Sequence, residues 1–403
     1  MKHHILFVDD EPNILRGLRR MLYPLRDSWE MTFAENGRDA LRVLGKSSYD
    51  VIVSDMRMPG MDGAQLLSEV RQHYPHIVRI ILSGHSDREM ILRSVGSAHQ
   101  CLAKPCDADM LKTTVSRAFA LSELLSDKHI KQVVAGMQTL PSIPKLYAQV
   151  TQEARSSCGS LKKIGQIIER DIGMTAKILQ LVNSAFFGLQ RTVSSSVQAV
   201  SLLGLDTVQA LILSAEIFDE FEQIKSLGLP LDTIWRHSMA VAACAKRIAQ
   251  AERCESKMID DAFVAGLLHD TGKLVLASHI SQDSSQCLTL EQPKEMMPCP
   301  MEPTAGSATH AEIGAYLLGL WGLPPAIVEA VAFHHNPSSC PIQTFGLLTA
   351  VHVANALVNE AVVTERNASV DLDYLEALSL NQRLPVWREH CQITLHEEQY
   401  TEA

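Results

Sequence analysis

Five polar side chains stand at chemically useful positions, each directly after or within the end of a short apolar run. They are Asp9, Asp10, Asp55, Ser83 and Lys104. The carboxylates are hard oxygen ligands suited to Mg²⁺, and a carboxylate held against Mg²⁺ can attack a phosphoryl donor because the metal offsets charge repulsion. The hydroxyl and the ammonium can bind phosphoryl oxygens. These residue types predict a site for phosphoryl transfer to a carboxylate.

The elements that must bring these side chains together are short strands that alternate with helices. Strands are predicted at 4–8, 30–34, 51–55, 77–82 and 100–102, and helices are predicted up to residue 22 and at 37–45, 63–73, 87–95 and 107–121. This alternation is typical of an α/β doubly wound, flavodoxin-like parallel sheet, whose strands place their carboxyl ends at one edge. The pattern therefore predicts that the polar side chains converge there.

The segments VDDE, SDMRMPGMDG, ILSGH and LAKP resemble the receiver domain of bacterial two-component response regulators. The resemblance implies that Asp55 accepts a phosphoryl group from a sensor histidine kinase. It implies a Mg²⁺ ion held by the side chains of Asp10 and Asp55 and by the carbonyl of Arg57. The supporting carboxylate and the two phosphoryl-sensing residues would be Asp9, Ser83 and Lys104.

One position departs from the receiver pattern. Receivers usually carry Tyr or Phe three residues before the lysine, and this chain has Cys101 there. The aromatic switch that the family uses is therefore in question. The following segment, residues 121–136, lacks proline and is compatible with a helix, which predicts either a signalling helix that continues from the receiver or a plain spacer.

From residue 139 onwards the sequence has helical periodicity and no convincing strands. Helices are predicted at 144–155, 161–169, 174–184, 195–203, 205–221, 232–252, 257–268, 309–320, 324–334, 343–360 and 371–379. The stretch IIERDIGMTAKILQLVNSAFFG resembles the HDOD domain, with Asn183, Ser184, Phe187 and Gly188 matching its NSAxxG signature. Asp171–Ile172 replaces the usual Asp-Pro of that family.

The stretches WRHSMAVA, AGLLHDTGKLVL, AFHHNP and AVHVANAL resemble the HD superfamily of metal-dependent phosphohydrolases. In that superfamily a divalent metal polarises a phosphate and activates water. The resemblance implies an Fe or Mn ion and a phosphate contact at Lys273. The implied ligand positions are His237, His269, Asp270, His310, His334, His335 and Asn355.

Two features separate this chain from the catalytic members of the superfamily. Asn355 stands where the last Asp ligand is expected, and an uncharged amide is a weaker ligand than a carboxylate. The sequence Asn336–Pro337–Ser338 follows His335 in place of a GYP motif. Two outputs stay open: an HDOD domain that binds a protein or a nucleotide, and an HD-type phosphohydrolase or cyclic-dinucleotide phosphodiesterase. The proline-containing segment 281–309 is either a lid for the histidines or an idle insertion.

Composition sets the remaining limits. The chain has 403 residues, a net charge of −10 and 46% hydrophobic residues, which predicts several globular domains and disfavours direct DNA binding. Nine scattered cysteines and no long apolar run predict a cytoplasmic protein without a membrane segment. We expect a receiver domain at 1–122, a linker at 123–138, an HDOD domain at 139–360 and a helical extension at 361–403. The face around residues 87–121 is the expected homodimer surface.

Overall fold

The computed structural model describes most of the chain as two compact units. The described residues are 2–83, 97–104, 106, 108–124, 128–137, 149–150, 152–153, 160–183, 193–204, 231–280, 308–340, 344–362 and 369–401. The first unit comprises Met1–Gln138, Gln180–Thr192 and Tyr316–Gly322, and the second comprises Thr139–Leu179, Val193–Ala315 and Leu323–Ala403. Within the described residues, no helix is long and apolar enough to cross a membrane.

The first unit contains a five-stranded parallel sheet with strand order β2-β1-β3-β4-β5. The strands are β1 (His3–Val8), β2 (Trp29–Ala34), β3 (Val51–Asp55), β4 (Val78–Ser83) and β5 (Gln100–Ala103). The helices between and after them are α1 (Pro12–Met21), α2 (Gly37–Leu44), α3 (Gly63–His73), α4 (Ala108–Leu124) and α5 (Lys128–Gly136). The predicted doubly wound α/β fold is confirmed.

The apolar strands form the core of this unit because they are covered on both faces. Every residue of β3 and β4 is buried, as expected of central strands in a parallel sheet. The loop after β3 depends on glycine, since a Cβ on Gly63 would lie 2.1 Å from the carbonyl oxygen of Asp55. Helix α3 then begins with a capping box, in which Asp62 and Gln65 each bond the other's backbone N–H. These local features fix the backbone next to Asp55.

The second unit is helical in its described residues. Its helices are α6 (Leu161–Ile168), α7 (Ile172–Asn183), α8 (Ser196–Leu203), α9 (Leu231–Ala251), α10 (Ser256–Leu268), α11 (Thr271–Ile280), α12 (His310–Leu320), α13 (Pro325–Phe333), α14 (Leu347–Val362), α15 (Leu372–Ala377) and α16 (Leu384–Thr401). The ends of α7 and α12 extend into the segments grouped with the first unit. Helix α9 packs against α10, α14 and α16 and forms the centre of this unit.

Several predicted elements differ from the observed ones or lie outside the described residues. Helix α11 was not predicted, since its sequence follows a histidine motif and shows no clear apolar stripe. The helix expected at 87–95 and most of those at 144–155 and 205–221 fall outside the described residues, as do Ser184, Phe187, Gly188 and nearly all of segment 281–309. Helix α4 ends at Leu124, and helix α5 begins at Lys128. The residues between these two helices also lie outside the described residues.

Candidate functional site

The first candidate site lies at the carboxyl edge of the sheet. Asp9 directly follows β1, Asp55 ends β3, Ser83 ends β4 and Lys104 directly follows β5. The strand register aligns Asp55 with Leu82 and aligns Ser83 with the residue before Lys104. Parallel pairing of strands that all end at the same level therefore brings these side chains to one edge, as the alternation of elements predicted.

Lys104 links the two buried carboxylates of this edge. Its Nζ lies 2.8 Å from Asp9 Oδ2 and also forms an ion pair with Asp55 Oδ1. The second oxygen of Asp55 accepts a hydrogen bond from the backbone N–H of Arg57 at 2.9 Å. Asp9 Oδ1 accepts one from the backbone N–H of Glu11, also at 2.9 Å. The two carboxylates are thus held in fixed orientations about one cation.

Burial and ion pairing together set the pKa values of Asp55 and Lys104. Burial raises the pKa of Asp55, and the hydrogen bond and ion pair with Lys104 oppose that shift. Burial alone would lower the pKa of Lys104, but its bonds to Asp55 and Asp9 outweigh burial and raise it. Lys104 is therefore a stable cation beside a partly buried carboxylate. Asp10, the other carboxylate expected to bind Mg²⁺, directly follows Asp9 and is half-buried.

Cys101, which replaces the usual receiver aromatic, is buried in β5 and pairs with Ile81 of β4. A buried cysteine has no ring that can turn between an inner and an outer position. The structure thus gives no side chain at this position that could act as an aromatic switch.

The second candidate site is a cluster of histidines at helix ends in the second unit. His269 directly follows α10, His310 begins α12, and His334 directly follows α13. His237 lies on α9 and Asn355 on α14. A Cβ on Gly272 would lie 1.9 Å from the carbonyl oxygen of His310, so only glycine allows α11 to approach α12 this closely. The seven predicted ligand positions are therefore gathered by packing between helices that are distant in sequence.

Asp270 stands between two groups of ligands. One group is His237, His269 and Asp270, and the other is Asp270, His310, His334 and His335, with all ligand atoms of each group within 4.8 Å of one another. Its Oδ2 lies 3.7 Å from His237 Nε2 and 3.4 Å from His269 Nε2. Its Oδ1 lies 3.2 Å from His310 Nε2 and 3.9 Å from His334 Nε2. Each oxygen of this carboxylate thus faces a different group.

Two of the histidines have their ring protons fixed by the backbone. His269 Nδ1 donates to the carbonyl of Gly266 at 2.7 Å, and His334 Nδ1 donates to that of Val331 at 2.8 Å. In these neutral rings Nε2 carries a lone pair, and in both residues this atom is buried without a hydrogen-bond partner. A buried unpaired nitrogen is costly, whereas a metal ion would use the lone pair. The donor set therefore fits a divalent transition metal.

The electrostatics of the cluster also suit a metal. Burial lowers the pKa of His269 to about 3, and it holds the pKa of His334 well below its usual range. Burial alone would raise the pKa of Asp270, but its neighbours, including the Lys273 ammonium, hold that pKa well below the usual range. His269 and His334 are thus neutral and Asp270 is ionised, which are the forms that bind metal.

The two groups are not equivalent. Lys273 Nζ lies 2.7 Å from Asp270 Oδ2, the oxygen that faces His237 and His269. His237 Nε2 lies 3.0 Å from Asn355 Oδ1, and the amide of Asn359 donates to the same oxygen at 3.0 Å. Since an amide oxygen only accepts, His237 must donate through Nε2 in this arrangement. In the group with His237, two of the three ligands, His237 and Asp270, therefore already have protein partners, and only His269 Nε2 has none. The group with His334 has four ligand residues.

Sequence reasoning missed two residues that support this cluster. His352 Nδ1 donates to the carbonyl of His334 at 2.8 Å, and His352 Nε2 accepts from the backbone N–H of Asp371 at 2.9 Å. Asn359 bonds the oxygen of Asn355 as described above. Their spacing from Asn355, three residues before and four residues after, places all three on one face of α14 and was the available signal.

Comparisons with known proteins match the two parts of the chain that contain these sites. The response regulator receiver domain model matches residues 5–116, and the HDOD domain model matches residues 140–337. An uncharacterized protein of Treponema pallidum is 25% identical over 219 residues, which is 54% of this chain and 42% of that protein. The hydrogenase transcriptional regulatory protein HoxA of Cupriavidus necator is 36% identical over 127 residues, or 31% of this chain and 26% of that protein. The chain thus spans less than half the length of these relatives.

Among solved structures, the receiver domain of an HD domain-containing protein from Pseudomonas fluorescens is 30% identical. The matched region covers 30% of this chain and 98% of the Pseudomonas chain, with a TM-score of 0.29. The MmoQ response regulator of Methylococcus capsulatus is 22% identical and covers 60% of this chain and 98% of that chain, with a TM-score of 0.45.

Proposed function

We propose, from the premise that this chain is a response regulator with a receiver domain and an HDOD domain, that phosphorylation of Asp55 controls the HDOD output. The observation that carries the proposal is the position of Lys104, whose ammonium contacts both Asp9 and Asp55 at the carboxyl edge of the sheet. Such a cation can bind the oxygens of a phosphoryl group on Asp55. The donor is a sensor histidine kinase, as the receiver match supports. We place this protein in the cytoplasm.

The proposed transfer uses the residues of this edge in defined roles. A carboxylate oxygen of Asp55 forms a bond to phosphorus while the P–N bond of the donor phosphohistidine breaks, and the released imidazole takes up a proton. Mg²⁺, which Asp10, Asp55 and the carbonyl of Arg57 would hold, supplies charge neutralisation when bound. Lys104 and the Ser83 hydroxyl then bind the oxygens of the phosphoryl group.

We propose that the HDOD domain acts by binding a protein or a nucleotide, and that a homodimer forms through the face around residues 87–121. The test compares wild type with Asp55→Asn, each with and without Mg²⁺ and beryllofluoride, in sedimentation velocity. We expect beryllofluoride to change the oligomeric state of the wild type and to leave the variant unchanged. An Asp55→Asn protein that responds like the wild type would contradict control through Asp55.

The second candidate function is metal-dependent hydrolysis of a phosphoester at the histidine cluster. The observation that favours it is the pair of buried Nε2 atoms of His269 and His334, which face the two sides of an ionised Asp270. Fe or Mn would polarise the phosphate and activate water there, with Lys273 as the phosphate contact. The test is metal analysis of protein purified without chelator, followed by assays on cyclic and linear dinucleotides with Mn²⁺ or Fe²⁺. Protein without stoichiometric metal would contradict this function.

A further inference from the structure

A buried arginine lies at the amino end of β4, at the opposite end of that strand from Ser83. Arg79 is 2% exposed, and each of its guanidinium nitrogens donates to a backbone carbonyl. Nε donates to Ser97 O at 2.7 Å, and Nη1 donates to Ile77 O at 3.1 Å and to Pro75 O at 3.2 Å. Nη2 donates to the carbonyl of Ala135 at 2.7 Å. One contact of this buried cation therefore belongs to helix α5, which follows the receiver fold in the chain.

His99 adds a second donor to the same carbonyl. Its Nδ1 accepts the backbone N–H of Arg79 at 3.0 Å, so the ring proton resides on Nε2. Nε2 then donates to the carbonyl of Ala135 at 2.8 Å. Burial, followed by the adjacent Arg79 cation, holds the pKa of His99 well below its usual range, so the ring is neutral and donates through one nitrogen only. The carbonyl of Ala135 thus accepts from both side chains.

The position of Ala135 in its helix makes these two bonds significant. Ala135 is the residue before the last of α5, where carbonyls have no partner within the helix and carry the negative end of its dipole. Val134 and Ala135 are both fully buried. Detaching the end of α5 would leave a buried guanidinium short of one acceptor, which a protein interior tolerates poorly. Opening this contact would therefore cost free energy.

The location of Arg79 connects this contact to the phosphoacceptor edge. Arg79 and Ser83 lie four residues apart on β4, which spans about 13 Å at the rise of a parallel strand. Their side chains lie on the same face of the strand because the separation is even. A shift of β4 that follows a contact made at Ser83 therefore moves the backbone that carries Arg79.

We propose that Arg79 and His99 form a latch on the carbonyl of Ala135, and that opening this latch frees helix α5 when the receiver is phosphorylated. The dependence on phosphorylation rests on the function proposed above, whereas the latch itself does not. In this chain the latch takes the place of the aromatic switch that Cys101 removes.

Hydrogen–deuterium exchange of the full-length protein tests the latch, with amides of 128–136 reporting on α5 and amides of β1 and β3 reporting on the sheet. We expect Arg79→Gln to speed exchange in α5 by about tenfold or more, as the loss of a hydrogen bond to a charged group implies. His99→Phe should give a smaller increase in the same peptide. Arg42→Gln, which removes an exposed arginine paired with Asp39, is the matched control and should leave α5 unchanged.

Wild-type exchange in α5 of an Arg79→Gln protein with an intact sheet would overturn the latch. If Arg79→Gln also speeds exchange in the sheet, a second variant, Ala135→Leu, tests the latch instead. The larger side chain overpacks the buried contact from the helix side and leaves Arg79 in place. Faster exchange in α5 alone then supports the latch, and unchanged exchange overturns it. Beryllofluoride should speed exchange in α5 of the wild type but not of Asp55→Asn. If beryllofluoride does not change exchange in α5 of the wild type, control of the latch by phosphorylation is contradicted. Whether the latch itself exists is still decided by the Arg79→Gln result.

Discussion

The two candidate sites differ in how their buried carboxylates are balanced by neighbouring groups. At the sheet edge, the carboxylates Asp9 and Asp55 share one cation, Lys104, whose side chain is 26% exposed. In the histidine cluster, a single carboxylate, Asp270, is 1% exposed among rings that burial keeps neutral. The first arrangement offers hard oxygen ligands to an ion that keeps its water, and the second offers nitrogen ligands to an ion that sheds it. The comparison teaches that one chain can present an oxygen donor set suited to Mg²⁺ and a nitrogen-rich donor set suited to a transition metal.

The largest expected effect is on phosphoryl uptake, which should depend on the carboxylate of the sheet edge and not on that of the histidine cluster. Two matched substitutions test this. Asp55→Asn should reduce phosphoryl uptake from acetyl phosphate with Mg²⁺ to background, because the acceptor oxygen is lost. Asp270→Asn should leave uptake at the wild-type level, since Asp270 does not contribute to the sheet edge. Phosphate-affinity gel electrophoresis measures both. Residual uptake by Asp55→Asn would show that another residue is the acceptor.

The second prediction concerns metal at the histidine cluster. Asp270→Asn should weaken Mn²⁺ or Fe²⁺ binding by at least about 100-fold, the upper end of what changes around metal ligands cause, because both ligand groups contain this carboxylate. Titration calorimetry on the apo protein measures the affinity. Asp261→Asn is the control, since Asp261 is also buried in this unit but pairs with Lys257. Equal affinities of the Asp270 variant and the wild type would place the metal elsewhere.

The two sites also differ in how far their sequence could predict them. The sheet edge followed from local patterns, because each apolar run ends at its polar residue and parallel strands must end together. The ligand positions of the cluster came from family motifs, and only packing of helices could show that Asp270 faces both groups. The contacts of Asn355 with His237 and Asn359, and that of His352 with His334, were not predictable, since they depend on how α14 is rotated against α9 and α13. Arg79 gave no signal, because a lone arginine in an apolar strand does not reveal its acceptors.

The third prediction tests whether the two ligand groups differ in their affinity for a metal. Asn355→Asp should tighten metal binding at the group with His237 by about tenfold, because a carboxylate adds negative charge and is a stronger ligand for a divalent metal than an uncharged amide. Metal stoichiometry by mass spectrometry should rise from one ion per chain towards two. Asn359→Asp adds the same charge one helical turn away and should leave the stoichiometry at one. Two ions already present in the wild type would contradict the inequality.

The smallest expected effect returns to the sheet edge and concerns stability. Because burial raises the folded-state pKa of Asp55 above its usual value, its ionised form is disfavoured in the folded receiver. The stabilising contribution of this group is therefore fully present below its unfolded pKa and is lost as the pH rises through its folded pKa. At pH 7, Asp55→Asn should raise the free energy of unfolding by about 1 kcal/mol, while Lys104 keeps its ion pair with Asp9.

Exchange of the slowest amides in β1 and β3 measures this effect without interference from the helical unit. The variant should exchange about fivefold more slowly than the wild type at pH 7, which corresponds to about 1 kcal/mol, and the difference should shrink as the pH falls towards 4. Asp27→Asn removes an exposed carboxylate from the same unit and should change neither value. A variant that is less stable at pH 7 would show that the ion pair with Lys104 outweighs the burial of Asp55. The sheet edge would then resemble the histidine cluster, in which contacts already hold the pKa of the carboxylate low.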